Sequence, residues 1–186
     1  MTDVRKTEDD HVARFIARLR KLADDEDRGA LAALRTSLQD RTGMAAAACP
    51  HVVPFLPPSE DLYRDRAFFL IGALFALHPD PGGENVSLGH AFRAINTDQE
   101  GAGAGDNESL RRRFVALLDA DAEDLPNHLR HAVSLARSKQ KPLGWERLLR
   151  DVLAWRGESR RVQRRLAREF WNGRHDALEP EGEISR

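Results

Sequence analysis

Ser59-Glu-Asp-Leu-Tyr-Arg-Asp-Arg-Ala-Phe-Phe-Leu-Ile-Gly-Ala-Leu-Phe-Ala-Leu77 is the stretch that decides the fold. Ser59, Glu60 and Asp61 make a helix start, because a hydroxyl and carboxylates suit the positive end of the backbone dipole. Beyond it Phe68, Phe69, Leu70, Ile71, Leu74 and Leu77 leave almost no polar face. A helix that is apolar nearly all round belongs at the centre of a protein, enclosed by other elements. Phe68–Leu77 is also the longest apolar run in the chain. It falls well short of the roughly 20 residues that span a bilayer.

The flanking sequence supplies partners of the same kind. Upstream, Val12, Phe15, Ile16, Leu19 and Leu22 recur at helical spacing within Val4–Leu22, and Asp24–Asp27 with Gly29 interrupt the pattern. Leu31, Leu34 and Leu38 predict a second, short helix stopped by Gly43. Residues 44–58 read as irregular, since Pro50, Pro54, Pro57 and Pro58 exclude a long helix. Downstream, His78-Pro-Asp-Pro-Gly-Gly83 ends the central helix and Ser87 caps another, Leu88 to about Ile95. The segment 97–107, TDQEGAGAGDN, reads as a linker. Four further helices are expected at about 108–119, 124–139, 145–156 and 158–172, and 174–186 reads as a disordered acidic tail. No strand alternation and no internal repeat is present. The prediction is an all-α chain of about eight to nine helices in two bundles, residues 1–96 and 108–173, packed into one compact chain.

The 186 residues carry 41% apolar side chains, enough for a core, and 32% charged ones. The net charge of −1 hides a strong asymmetry. Residues 1–110 sum to −6, residues 111–174 to +8 and residues 175–186 to −3. Such a division points to a polyanion or an acidic membrane surface as partner of the basic part. Arginine outnumbers lysine 25 to 4, and its planar fork grips phosphate bidentately. Cys49 is the one cysteine, so no intrachain disulfide forms and a reducing compartment is expected. With no apolar leader in MTDVRKTEDD, the expectation is a cytoplasmic protein.

Familiar catalytic arrangements fail on inspection. Gly101-Ala-Gly-Ala-Gly105 lacks the preceding strand, the glycine spacing and the following Lys-Ser/Thr of a phosphate loop. Asn85-Val-Ser-Leu-Gly89 has Asn where a nucleophile elbow needs Gly, and Ser87 reads as a helix cap. His128 and His131 share a helix face without a third ligand, and Cys49 beside His51 has no orienting residue. The sequence therefore predicts no catalytic centre, metal, cofactor or small-molecule substrate.

The arginines of the last helix stand out. With Arg160 at the origin, Arg164, Arg168, Arg161 and Arg165 fill one contiguous sector, while Val162, Leu166 and Phe170 fill the opposite one. Glu169 lies off that sector. Like charges so placed repel one another unless an anion screens them. Arg130 and Arg137, two turns apart, extend the basic surface, with Lys139 and Lys141 beyond them. Arg111, Arg112 and Arg113 open another helix, against the helix dipole. Trp155 and Phe170 are expected in the core and Trp171 partly exposed. Nothing resembles a base-reading motif, so the expected mode is backbone binding without sequence preference.

Several segments occur in a recognisable order: Val86-Ser-Leu-Gly-His-Ala-Phe92, Leu110-Arg-Arg-Arg-Phe-Val-Ala-Leu-Leu118, His128-Leu-Arg-His131, then Trp145, Leu153-Ala-Trp-Arg156, Arg160-Arg161 and Phe170. With the leading helix and Pro54-Phe55, they make roughly residues 10–172 similar to the CasB family, the small subunit of the type I-E CRISPR surveillance complex Cascade. The resemblance implies a helical protein of two bundles without catalytic activity. It implies two copies lying head to tail along the complex, in contact with the backbone and large subunits. It further implies that guide RNA, target DNA and chiefly the displaced strand are partners of a basic surface, and that no membrane is. The positions matched to that surface are Arg35, Arg64 or Arg66, Arg112, Arg113, Arg130, Arg160 and Arg161. The charge pattern itself adds Arg137, Arg164 and Arg168. The competing expectation is a scaffold whose arginine face meets an acidic protein.

Overall fold

The structure, a computed structural model, describes residues 2–79, 83, 86–98 and 104–172, without the side chains of 2–7 and 104–106. The expected acidic tail and most of the Gly-rich segment lie outside the described residues. Among these, nine α-helices and three single turns of 3-10 helix occur, and no strand. The chain is all-α.

The first helix, α1 (Thr2–Asp24), buries Val12, Phe15, Ile16, Leu19 and Leu22, the face read from periodicity. Asp27 caps α2 (Arg28–Arg35) by accepting from Ala30 N at 2.9 Å, and a 3-10 turn, Thr36–Leu38, follows. The chain turns at Gly43, whose φ of +74° suits a residue without Cβ. The proline-rich segment is more ordered than its composition predicts. It forms a staircase of single turns, Ala46–Ala48, α3 (Cys49–Val52) and Val53–Phe55. Pro50 and Pro54 occupy first-turn positions, where a missing N–H costs nothing.

The central helix, α4 (Leu62–Leu77), begins at Asp61, which accepts from Tyr63 N at 3.0 Å. It buries nine residues around its circumference, Gly72 among them. Its neighbours come from both ends of the chain: α2 and α3 on one side, α7 (Leu125–Ser138) and α8 (Trp145–Leu153) on the other. Trp145, fully buried, packs edge-on to Phe75 with ring centres 5.3 Å apart.

The connection expected at 97–107 is shorter. Helix α5 (Leu88–Asp98) runs on past Ile95, and α6 (Ala104–Asp119) begins before residue 108. Arg111–Arg113 consequently lie in mid-helix, and the dipole penalty inferred for cations at a helix start does not apply. The last helix, α9 (Arg161–Trp171), forms with α5 the most extensive helix pair of the fold. Gly89 makes that approach close: a Cβ there would sit 2.6 Å from Leu166 O. Buried apolar residues from α1 through α9 form one cluster that includes both expected halves. No helix of the described residues is long and apolar enough to cross a membrane.

Candidate nucleic-acid interface

Helix α9 separates its charges cleanly. Val162, Gln163, Leu166 and Phe170 point inward. Arg161, Arg164 and Arg168 are exposed on the opposite side, and none has an ionic or hydrogen-bond partner among the described residues. Trp171 completes this face. It is 48% exposed although its ring packs 4.7 Å from Phe170 and 5.7 Å from Phe114.

Two arginines assigned to the same sector by periodicity lie elsewhere. Arg160 precedes the helix in a left-handed conformation, φ +47°. Its guanidinium donates to Leu118 O in the last turn of α6 and lies 3.8 Å from Asp119, so a cation meets the negative end of a helix. Arg165 turns toward α8. It pairs with Asp151 and donates to Glu169 at 2.8 Å, and Arg147 donates to the same Glu169 at 2.7 Å.

Burial works against the charge of Glu169, yet donation from the Ser87 hydroxyl at 2.5 Å, together with Arg165 and Arg147, holds its carboxyl below the usual carboxylate range. Burial dominates at Asp151 and raises it despite Arg165 and Arg147; one of its oxygens, Oδ2, is buried without a partner. Ser87 accepts from His90 N at 3.1 Å, the cap read from sequence. His90 Nδ1 lies 3.2 Å from the Ser87 oxygen. This is not a nucleophile and its base, because Ser87 is 1% exposed and gives its proton to Glu169. The carboxylates of α8 and α9 thus neutralise inward arginines and leave the outward ones uncompensated.

The remaining arginines divide by partner. Arg35 donates from Nε to Ala76 O at 2.9 Å and so caps the end of α4. Arg64 is half-buried and pairs with Glu8 at 2.7 Å. Arg66 is exposed and opens onto a cleft of about 390 Å3 between α4, the Ser37–Gly43 segment and the start of α7. Arg130 of α7 reaches the same cleft, as do Arg41 and Arg156. Tyr63 lines it, with Arg156 3.9 Å over its ring and its hydroxyl donating to Val152 O at 2.6 Å. Burial pushes the Tyr63 phenol up to about 12, so it stays neutral. Arg137 is exposed two turns beyond Arg130. Arg112 is exposed on α6, and Arg113 borders a small pocket with His128 and His131. Lys141 pairs with Asp98 at 2.5 Å. No group of three His, Cys, Asp or Glu among the described residues is placed to hold a metal.

The positions expected from sequence therefore lie on more than one surface. Arg161, Arg164 and Arg168 share the α9 face, while Arg66 and Arg130 share the cleft. Sequence reasoning missed Arg41, Tyr63 and Arg156. Tyr63 and Arg156 are distant in the chain, and no periodicity links them.

The family model described as CRISPR-associated protein Cse2 matches residues 30–171. A CRISPR-associated protein Cse2 from Thermus thermophilus is 34% identical over 173 residues, covering 92% of this chain and 96% of the relative. A crystal structure of CasB from Thermus thermophilus superposes with a TM-score of 0.71 at 33% identity, over 87% of this chain and 97% of that one. A chain in a structure of a CRISPR RNA-guided surveillance complex gives a TM-score of 0.68 at 25% identity, over 87% and 91% of the two chains.

Proposed function

The chain belongs to the CRISPR-associated Cse2 (CasB) family, and from that premise we propose that it is the non-catalytic small subunit of a type I-E Cascade surveillance complex. Its partners in this reading are the guide RNA, the target DNA, the backbone and large subunits and a second copy of itself, in the cytoplasm. Its task is to steady guide–target pairing and the displaced strand through a basic surface indifferent to sequence.

The observation that carries the reading is the outer face of α9. Arg161, Arg164 and Arg168 stand together, exposed and without acidic partners among the described residues, beside a half-exposed Trp171. Guanidinium groups so arrayed bind phosphates bidentately, and a half-exposed indole ring offers a stacking surface to an unpaired base. Arg112 on α6 and Arg130 and Arg137 on α7 add exposed cations on other surfaces of the chain. In a guided system base pairing reads the sequence, and the protein supplies charge to the backbones.

The test is a reconstituted complex carrying Arg161→Glu and Arg164→Glu. Assembly with guide RNA is expected to be retained, while target binding weakens and the displaced strand becomes more reactive to single-strand probes. Each lost single-strand phosphate contact lowers the log–log salt slope by about 0.7. Unchanged target affinity and unchanged strand protection would overturn the proposal. A complex that failed to assemble would place the arginine face against an acidic protein instead.

A further inference from the structure

The cleft between α4, the Ser37–Gly43 segment and the start of α7 lies apart from the α9 face and has a different character. We propose that it receives a single nucleotide turned out of a bound strand, with the base stacked on the Arg156 guanidinium and the phosphate held by Arg66 and Arg130. The inference rests on the nucleic-acid reading above and adds a site to it.

Size is the first argument. A volume of about 390 Å3 fits one nucleotide unit and excludes a duplex or a folded peptide. It lies at the lower end of the roughly 300–1,000 Å3 found for small-ligand sites.

Chemistry is the second. Leu70, Ala67 and Val152 give the cleft an apolar floor, while Arg41, Arg66, Arg130 and Arg156 line it with charge. Two carboxylates, Asp40 and Glu123, also line it, so the arginines outnumber the acids. Asp40 is occupied: Thr42 donates to it from the backbone at 2.8 Å and from its hydroxyl. Arg41, Arg66 and Arg130 have no ionic or hydrogen-bond partner among the described residues. Four guanidinium groups around one small cleft repel one another until an anion enters, and a phosphate matches their fork geometry. The first turn of α7, the positive end of that helix, borders the same space and adds to the field.

Preorganisation is the third. The Tyr63 hydroxyl is tied to Val152 O at 2.6 Å, which fixes the ring, and Arg156 rests 3.9 Å over that ring. One side of the guanidinium is thus held by an aromatic while the residue remains exposed. Arginine planes held in this way are platforms for unstacked bases.

The experiment compares two strands of equal charge on the full chain at matched salt. One is an oligothymidylate of about 12 nucleotides, a length within single-strand site sizes; the other is an abasic phosphodiester of the same length. A single stacked base is expected to make the thymidylate bind at least ~5-fold more tightly. Arg156→Ala should remove the cleft's share of that ratio without altering the salt slope, leaving only what stacking on Trp171 supplies; a ratio unchanged by Arg156→Ala and abolished by Trp171→Ala would overturn the cleft proposal. Arg66→Gln should lower the slope by about 0.7 and keep the ratio. Equal binding of both strands by the wild-type chain, still salt-dependent, would overturn the cleft proposal and leave the basic surface standing. Failure to bind either strand would instead count against the nucleic-acid reading itself. Thymidine 5′-monophosphate binding as tightly as the oligomer would make the cleft a free-nucleotide site and refute the strand as its source.

Discussion

Gly89→Ala sets two physical effects against each other. Gly89 lies in the first turn of α5, where alanine is favoured over glycine by at most about 1 kcal/mol from helix propensity alone. The fold opposes that gain. A Cβ at this position would lie 2.6 Å from the backbone oxygen of Leu166 and 2.9 Å from Glu169 Cβ. The nearest obstacle is main chain of α9, which cannot swing aside as a long side chain would. Restoring ordinary contact requires the two helices to separate by about 1 Å. Overpacking of this kind costs about 1–3 kcal/mol. The same separation pulls Glu169 from the Ser87 hydroxyl, a charge-assisted hydrogen bond of 2.5 Å worth about 1.5–3 kcal/mol. After subtracting the propensity gain, the variant should be less stable by about 1.5–5 kcal/mol. Urea unfolding followed by far-ultraviolet circular dichroism measures the difference directly. A variant as stable as the parent, or more stable by the propensity increment, would show that α5 and α9 are not in close contact, and the placement of the arginine face would fall with it.

Leu166→Ala, at a position 1% exposed between the same helices, should cost about 2–5 kcal/mol by the same assay. Arg161→Glu with Arg168→Glu should change stability by no more than about 0.5 kcal/mol per site, since neither side chain has a partner to lose among the described residues; a larger loss on unfolding in urea would reveal a hidden structural role. Glu169→Gln should destabilise the chain by about 1–3 kcal/mol at neutral pH, because Arg165 and Arg147 lose their shared counter-charge. The Glu169 carboxyl is held below its usual range in the fold, so its contribution is full above that range and fades as pH falls through the lowered value. The gap between parent and Glu169→Gln should therefore close in acid; a gap that widened as pH fell would contradict the sign of the shift.

The helices of this chain were legible because their burial is periodic. Val12 to Leu22 of α1 and Val162, Leu166 and Phe170 of α9 face inward as their spacing requires. Trp155 and Phe170 are buried and Trp171 is half-exposed, also as expected. Helix ends were harder, because local chemistry competes there. Helix α6 begins at Ala104 and runs through a glycine, and Arg160 left the helix its sequence continues. The site was partly legible for the same reason. A single helix exposes Arg161, Arg164 and Arg168 together, and period alone finds such a face. Period cannot find Asp151 as the partner of Arg165, nor Arg156 over Tyr63, since those pairings depend on how separate helices pack. Glu169 lies off the arginine sector, as its spacing predicts, but at the border where it pairs with Arg165 and Arg147.

The position of α4 has a consequence for how the protein is made. This apolar helix, complete by Leu77, is enclosed only when α7 and α8 arrive, the latter ending at Leu153. Helix α1 must also wait, for it packs on α8 and Asp9 pairs with Arg150 at 2.8 Å. At ribosomal speeds of about 5–20 residues per second, the interval between finishing α4 and finishing α8 is roughly 4–15 s. During that time the most hydrophobic segment of the chain lacks half its cover. Newly made protein should accordingly engage holdase chaperones through Phe68–Leu77, and slower translation should lengthen that engagement rather than aid folding.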